Sequence, residues 1–344
     1  MKIFWILISI LAGIALLFFL FVFLLASAIR KSVLGKRMED DGTLHYFSPE
    51  DFGISCEETD FFSGKLRLKG YYYPAKEAKA LIVLSHGMGA GQRQYMKEIA
   101  SFVKEGFAVF SYDARGCEKS EGKGIGFFSN AVSDLKAALD FVKTRPEMNA
   151  FPLLLYGHSM GAYCVNRVLS TPYPIVGAVS VSSFDSSVSL IGDLLISFLG
   201  NKGKIVAWAM KVQEYLFCGK SSLKTSSESL KETEIPVLLI SGDSDDIVPP
   251  EKNFRLYRRE LSSCENIRFL EVEGRYHRPN LTREAADYDR KVNERISEMK
   301  TKYKKGMPDA VKRDLYDSFD YIKLVELDAE VQKEILNFYR ESMK

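Results

Sequence analysis

The sequence predicts an α/β domain built on an open, mostly parallel sheet and preceded by one apolar helix of membrane-spanning length. Three observations carry this. From about residue 50 onward, short apolar runs alternate with longer amphipathic ones. Several short runs are nearly continuous in Val, Ile and Leu, as expected where helices cover both faces of a parallel sheet. Between Ile3 and Ile29 there is no charged residue.

A hydrocarbon core about 30 Å thick takes about 20 helical residues to cross, so the Ile3–Ile29 run is long enough with tilt to spare. It is apolar on every face, which disfavours a core helix. A secretory signal normally has an apolar run of only about 7–15 residues, although Ala26, Ser27 and Ala28 resemble a cleavage site and keep that reading open. Lys2 precedes the run, while Arg30, Lys31, Lys36 and Arg37 follow it. The positive-inside rule then places the C-terminal domain in the cytoplasm. Five cysteines without C-x-x-C spacing read as free thiols and point the same way. A single-span anchor carrying an exported domain is the alternative.

The 344 residues suffice for one large domain with a small insertion, and the composition is that of an ordinary globular protein, 46% hydrophobic and 27% charged. A net charge of +2 gives no reason to expect nucleic acid. Residues 1–30 read as a transmembrane anchor, 31–50 as a polar linker and 51–344 as the α/β domain. Strands are expected at Leu66–Tyr73, Ala80–Ser85, Ala108–Tyr112, Leu153–Tyr156, Val176–Val181, Val237–Ser241 and Ile267–Val272. Phe128, Val132, Leu135, Leu139 and Val142 recur at helical spacing and mark an amphipathic helix against the sheet.

Two segments break the alternation. Residues 186–231 are too long for a simple crossover. Leu190, Ile191, Leu194, Leu195, Phe198 and Leu199, then Val206, Trp208, Ala209 and Val212, suggest helices capping the carboxyl edge of the sheet, where ligands of open α/β sheets bind; an enlarged crossover packed on the core is the other reading. Residues 282–320 are heavily charged and helical in pattern. Their charges read as a solvated face, and no chemistry is assigned to them. A final apolar-faced helix is expected over Asp328–Met343.

The chemistry centres on Leu153-Leu154-Leu155-Tyr156-Gly157-His158-Ser159-Met160-Gly161. A buried strand runs into G-x-S-x-G, and a helical stretch with Ala162, Val165 and Val168 follows. Such a sharp turn raises the Ser159 hydroxyl above the sheet edge. It also puts the Met160 N–H at a helix N-terminus, facing developing negative charge. A serine hydroxyl needs a base, and histidine has the suitable pKa. Of the four histidines, His45 lies in the linker, and His86 and His158 lie inside other motifs, where each orients a loop or packs beside the site. His277 follows the strand Ile267–Val272 and is the expected base. An imidazolium in turn needs a buried carboxylate. Asp243, Asp245 and Asp246 crowd the loop after Val237–Ser241; Asp245, the last residue of G-x-x-D, is the choice, while its neighbours suit turn or helix capping. The strand Leu81–Ser85 ends in His86-Gly87-Met88-Gly89, and the Met88 N–H is the expected second oxyanion donor.

In the order H-G-x-G, G-x-S-x-G, G-x-x-D, G-x-x-H, these motifs resemble the α/β-hydrolase superfamily, in particular its branch of monoacylglycerol lipases and serine aminopeptidases. Tyr112-Asp113-Ala114-Arg115-Gly116-Cys117-Glu118-Lys119-Ser120 is similar to that branch's D-x-R-G-x-G-x-S loop. The resemblance covers roughly residues 60–280 and the final helix. It departs at Glu118, where glycine is usual, and at Arg275 and Tyr276, which are bulky beside the histidine. It implies an α/β-hydrolase fold and a membrane-anchored serine hydrolase acting on a small-molecule acyl ester, lipid-derived or of medium chain length. No cofactor or metal is expected. The partners are the substrate and, through the N-terminal helix, the lipid bilayer. Three alternatives remain: an aminopeptidase-type amide hydrolase, favoured by an acidic pocket that takes an α-amine; a non-catalytic ligand-binding protein on the same fold; and an assembly scaffold built on the anchor and the charged segment Thr282–Asp320.

Overall fold

The structure, a computed structural model, describes residues 1–38, 45–89, 91–304 and 306–344, without the side chains of residues 193, 194, 197 and 198. It opens with α1 (Lys2–Leu34). β1 (Glu57–Ser63) and β2 (Leu66–Tyr73) form a hairpin, followed by β3 (Ala80–Ser85), α2 (Met96–Lys104) and β4 (Phe107–Tyr112). Next come α3 (Phe128–Lys143), the short α4 (Pro146–Asn149), β5 (Leu153–His158), α5 (Met160–Val168) and β6 (Ile175–Val181). α6 (Ser187–Leu199), α7 (Lys202–Cys218) and α8 (Ser226–Lys231) precede β7 (Val237–Gly242), α9 (Phe254–Glu260) and β8 (Ile267–Val272). The chain closes with α10 (Arg283–Lys302), α11 (Asp309–Asp317), α12 (Tyr321–Leu324) and α13 (Ala329–Ser342).

The strands lie in the order β1-β2-β4-β3-β5-β6-β7-β8. β1 and β2 pair antiparallel, as do β2 and β4, and every later pairing is parallel. Alternate residues of the central strands serve opposite faces. Val83, Leu155 and Leu239 pack with α3 and α5 through Leu135, Leu139 and Val165. Ile82, Leu154 and Ile240 pack with α2 and α13 through Phe102, Ile335 and Tyr339. Both faces are dry, which is why these strands read as continuous apolar runs. The parallel order leaves the strands from β3 to β8 ending at one edge, and the candidate motifs all sit in the loops beyond that edge.

The strands expected from the sequence all form, and β1 is added to them. Its sequence, EETDFFS, buries only Phe61 and Ser63. As the edge strand it has one covered face near one end, so no apolar run marks it. α13 is capped by Asp328, whose carboxylate accepts from the Glu330 and Val331 N–H groups.

The stretch expected to link anchor and domain starts within the fold. α1 continues to Leu34, which is buried in the main core. The Gly126 N–H then donates to the Leu34 carbonyl at 2.7 Å, and Met38 pairs with the loop after β4 through Met38 N–Gly116 O (2.8 Å) and Glu118 N–Met38 O (2.9 Å). Residues 39–44 of that stretch lie outside the described residues. In the 186–231 segment, α6 and α7 bury Leu195, Val206, Ala209 and Met210 against Val22 and Ala26 of α1; the side chains of Leu194 and Phe198 lie outside the described residues. The charged segment folds as α10 and α11, closed over a small seam of Val292, Leu315, Tyr316 and Phe319.

Candidate active site

Ser159 stands between β5 and α5 with φ 54° and ψ −117°. A non-glycine residue held there costs about 1–3 kcal/mol and persists only where its surroundings over-determine it. Here the Ser159 N–H donates to Val181 O at 2.8 Å, and its carbonyl accepts from the Tyr163 N–H at 2.9 Å. The flanking glycines are steric necessities. A Cβ on Gly157 would sit 2.5 Å from the Gly161 carbonyl oxygen, and one on Gly161 only 1.9 Å from that of Ser85. Strand, elbow helix and the loop after β3 therefore touch backbone to backbone. Met160 opens α5, so its N–H has no intrahelical acceptor. Met88 lies in the turn after β3, and its side chain is exposed.

His277 lies in the loop after β8. Its Nδ1 is 2.9 Å from Asp245 Oδ2 and 3.1 Å from Oδ1. The Asp245 side chain is fully buried. Its Oδ1 also accepts from the Ile247 and Val248 N–H groups at 3.0 and 2.8 Å, which fixes the carboxylate and satisfies it as an acceptor of the Nδ1 proton. The two neighbouring acids are used differently. Asp243 accepts from the Gly274 N–H at 2.9 Å and ties the β7 loop to the histidine loop. Asp246 is exposed and lines a cavity beside His277.

His158 is buried and links three loops. Its Nε2 lies 2.9 Å from the His277 carbonyl, which can only accept, so Nε2 carries the proton. Its Nδ1 then accepts from the Tyr95 hydroxyl at 2.7 Å, and that hydroxyl accepts from the Gly87 N–H at 2.9 Å. Burial, and next the nearby His277 ring, push His158 well below the ordinary histidine range. It is a neutral strut, not a base. His86 has a similar part. Its Nε2 accepts from the Ala114 N–H at 2.9 Å, Nδ1 donates to the Gly87 carbonyl at 2.6 Å, and burial lowers its pKa. His45 packs edge-on against Phe47 and Tyr321.

The departures from the family pattern have structural uses. Glu118 takes the left-handed conformation, φ 43°, that a glycine would adopt freely, and its carboxylate pairs with Arg93 at 2.7 Å. Arg275 points away from His277, to Asp328 at 2.8 Å and to the Leu281 carbonyl at 2.9 Å. The Tyr276 hydroxyl reaches Asp287 at 3.2 Å, and Arg290 stacks on its ring.

Tyr276 thus draws α10 against the histidine loop, so one edge of the segment read as a solvated face borders His277. The resulting cavity, about 230 Å³, is lined by Asp246, Ile247, Tyr276, His277 and Arg278 from the two loops and by Asp289, Arg290 and Asn293 from α10. Burial raises the Asp289 carboxyl, opposed by Arg278, Asn293 and His277. Arg278 is engaged with buried Glu98 at 3.1 Å, and Asn280 donates to the same carboxylate at 2.9 Å. Larger open concavities, about 600 and 560 Å³, lie away from Ser159. Tyr95, Glu98 and Asp289 carry no local signature in the sequence; only contacts across the fold join them to the motifs.

The family model described as serine aminopeptidase, S33, matches residues 76–211. The uncharacterised protein YfhR of Salmonella typhi is 25% identical over 195 residues, 55% of this chain and 64% of that protein. Mus musculus monoglyceride lipase is 27% identical over 218 residues, 62% of this chain and 64% of that one. The chain therefore spans less than two thirds of the length of either relative. Among solved structures, an esterase of Pyrococcus furiosus superposes with a TM-score of 0.56 at 20% identity, over 78% of this chain and 98% of that one; this likeness concerns the fold. Taken with the motif order and the sheet topology, these matches show that the chain has the α/β-hydrolase fold and is similar to the monoacylglycerol lipase and serine aminopeptidase branch of that superfamily.

Proposed function

We propose that the chain is a membrane-anchored serine hydrolase that cleaves carboxylic esters, of lipid-derived or medium-chain acyl groups, through Ser159, His277 and Asp245. The observation that carries this reading is the buried Asp245 carboxylate held 2.9 Å from His277 Nδ1, in a loop tied through the His277 carbonyl to His158, the residue before Ser159 in its strained strand-to-helix turn. With Nδ1–H donated to Asp245, the ring's Nε2 is the free base. It takes the Ser159 hydroxyl proton as Oγ attacks the ester carbonyl, and the C=O electrons move onto oxygen. The Met88 and Met160 N–H groups are the donors for that oxyanion. Collapse expels the alcohol, which leaves with the proton from His277. Water, deprotonated by the same nitrogen, then releases the acid and restores Ser159. Residues 186–231 serve as the cap, residues 1–30 hold the protein to the bilayer, and the basic cluster Arg30–Arg37 puts the domain on the cytoplasmic side.

The test is labelling of the full chain by a fluorophosphonate, with Ser159→Ala and His277→Ala alongside, and then a p-nitrophenyl ester series of increasing chain length. Labelling that disappears in both variants, with turnover peaking at one chain length, is the expected result. Folded wild-type protein that neither labels nor turns over any ester or aminoacyl amide sinks the enzyme reading. One observation favours the amide alternative: the carboxyl groups of Asp246 and Asp289 line the same cavity as His277. If an α-amine binds there, aminoacyl p-nitroanilides are cleaved, and Asp289→Asn raises their KM without altering that for neutral esters.

A further inference from the structure

Glu98 lies in the first turn of α2, and its side chain is only 1% exposed. One carboxylate oxygen, Oε1, accepts from Arg278 Nη2 at 3.1 Å and from Asn280 Nδ2 at 2.9 Å. These donors are the first and third residues after His277. The other oxygen, Oε2, is buried without a hydrogen-bond partner among the described residues. The same loop is also tied to Asp328, the N-cap of α13. Asp328 pairs with Arg275 at 2.8 Å, and its N–H donates to the Asn280 carbonyl at 2.9 Å. Arg275, Arg278 and Asn280 are thus fixed to two helices that pack on one face of the sheet. His277, between them, is held by its carbonyl to His158 and by its ring to Asp245.

Stability alone is a poor reason for such a pair. Taking a carboxylate and a guanidinium out of water costs about as much as their attraction returns, and an apolar pair of similar volume is often as stable. An unpaired carboxylate oxygen adds to that cost. What the pair supplies is direction. Its two donors set the backbone on the C-terminal side of His277 against α2, the helix that follows the loop of Met88. Tyr95, just before α2 and three residues from Glu98, reaches His158. The start of α2 therefore touches both the His158 strut and the histidine loop.

We propose that Glu98 is a positioning residue. By clamping Arg278 and Asn280 it fixes the His277 backbone relative to the Met88 loop and the Ser159 turn, so that Nε2 stays aligned with the serine hydroxyl. The inference rests on the reading of Ser159, His277 and Asp245 as the catalytic triad. It needs no contact with substrate, and neither Glu98 nor Asn280 lines the cavity beside His277.

Glu98→Gln keeps an acceptor for both donors, and Glu98→Leu keeps only the volume. Both full-length variants are compared with wild type by fluorophosphonate labelling rate, by Tm, and by kcat and KM for the p-nitrophenyl ester that wild type turns over fastest. In Glu98→Leu, kcat is expected to fall about ten- to a hundredfold at constant KM. The labelling rate should fall in parallel, and Glu98→Gln should recover part of both. Unchanged kcat per folded molecule, whatever the Tm, overturns the proposal, and so does a change confined to KM. Equal losses in the two variants also overturn it, because the hydrogen bonds that Gln retains would then have no effect. If neither variant folds, Asn280→Ala decides by removing one of the two donors. Lowered kcat at constant KM is expected there, and wild-type kcat overturns the clamp. Wild-type protein that neither labels nor turns over any ester is a failure of the triad reading. Wild type that does both, beside variants of undiminished kcat, is a failure of the clamp alone.

Discussion

At the scale of single residues, the site depends on which carboxylate holds the imidazole. Three acids follow β7, and only Asp245 is buried against His277 with two backbone donors fixing it. Asp245→Asn presents an amide N–H or a neutral oxygen to Nδ1 and favours the wrong tautomer. We expect kcat to fall about a thousandfold or more with little change in KM, read from steady-state ester hydrolysis. The buried histidines affect stability instead. His158 and His86 have folded pKa values below their ordinary one. Below about pH 6.5 the unfolded chain takes up protons that the folded chain refuses, so stability is full above that pH and falls beneath it. Each ring contributes a slope of up to about 1.4 kcal/mol per pH unit. The raised Asp113 and Asp185 carboxyls act in the opposite sense. Urea midpoints measured between pH 7 and 5.5 should decline in wild type and decline less steeply in His158→Gln.

At the scale of elements, the loops after β3, β5 and β8 are joined by a chain of directed hydrogen bonds, Gly87 N–H to Tyr95 to His158 Nδ1, and His158 Nε2–H to the His277 carbonyl. Tyr95→Phe leaves a buried N–H and a ring nitrogen unsatisfied, at about 1–3 kcal/mol each. If the chain only holds the fold together, thermal stability drops while kcat per folded molecule is unchanged. If it positions the oxyanion loop against His277, kcat falls at constant KM, and His158→Gln, which keeps a donor and an acceptor, retains more activity than His158→Phe. We expect the second pattern. Paired measurements of Tm and of kcat and KM on the three variants separate the two.

At the scale of the molecule, the long apolar helix α1 ends inside the α/β domain. Leu34 is buried in the main core, and Arg37 donates to the Ser120, Gly122 and Glu118 carbonyls. A chain starting at Ser27 keeps these contacts, and one starting at His45 loses them. Removal of Leu34 burial alone is worth about 1.5–3 kcal/mol. At about 2–4 °C per kcal/mol for a domain of this size, the shorter chain should melt several degrees lower in a calorimetric comparison. Equal melting temperatures would mean that the docking of residues 30–38 adds nothing to the fold.

How much of this the sequence carried depends on the range of the physics involved. Strands covered on both faces must be apolar throughout, and a strand-to-helix turn at a serine needs glycines where backbones meet, so the sheet and the position of Ser159 were legible locally. β1 was not, because an edge strand covered near one end needs only Phe61 and Ser63 inside. The G-x-x-D spacing ranked Asp245 first, but its burial against His277 is a contact between separate loops. Tyr276 and Arg290, two surface residues by composition, bring a charged helix to the edge of the site. The sequence by itself determined what repeats along the chain: the apolar α1, the alternation of strands and helices, and the order of the motifs. Only the tertiary structure decided what meets across it, including the acid that faces His277, the strut through His158, and the insertion folded onto α1. Each of these is a pairing of distant segments, where burial and hydrogen-bond satisfaction depend on the partner rather than on the neighbouring residues.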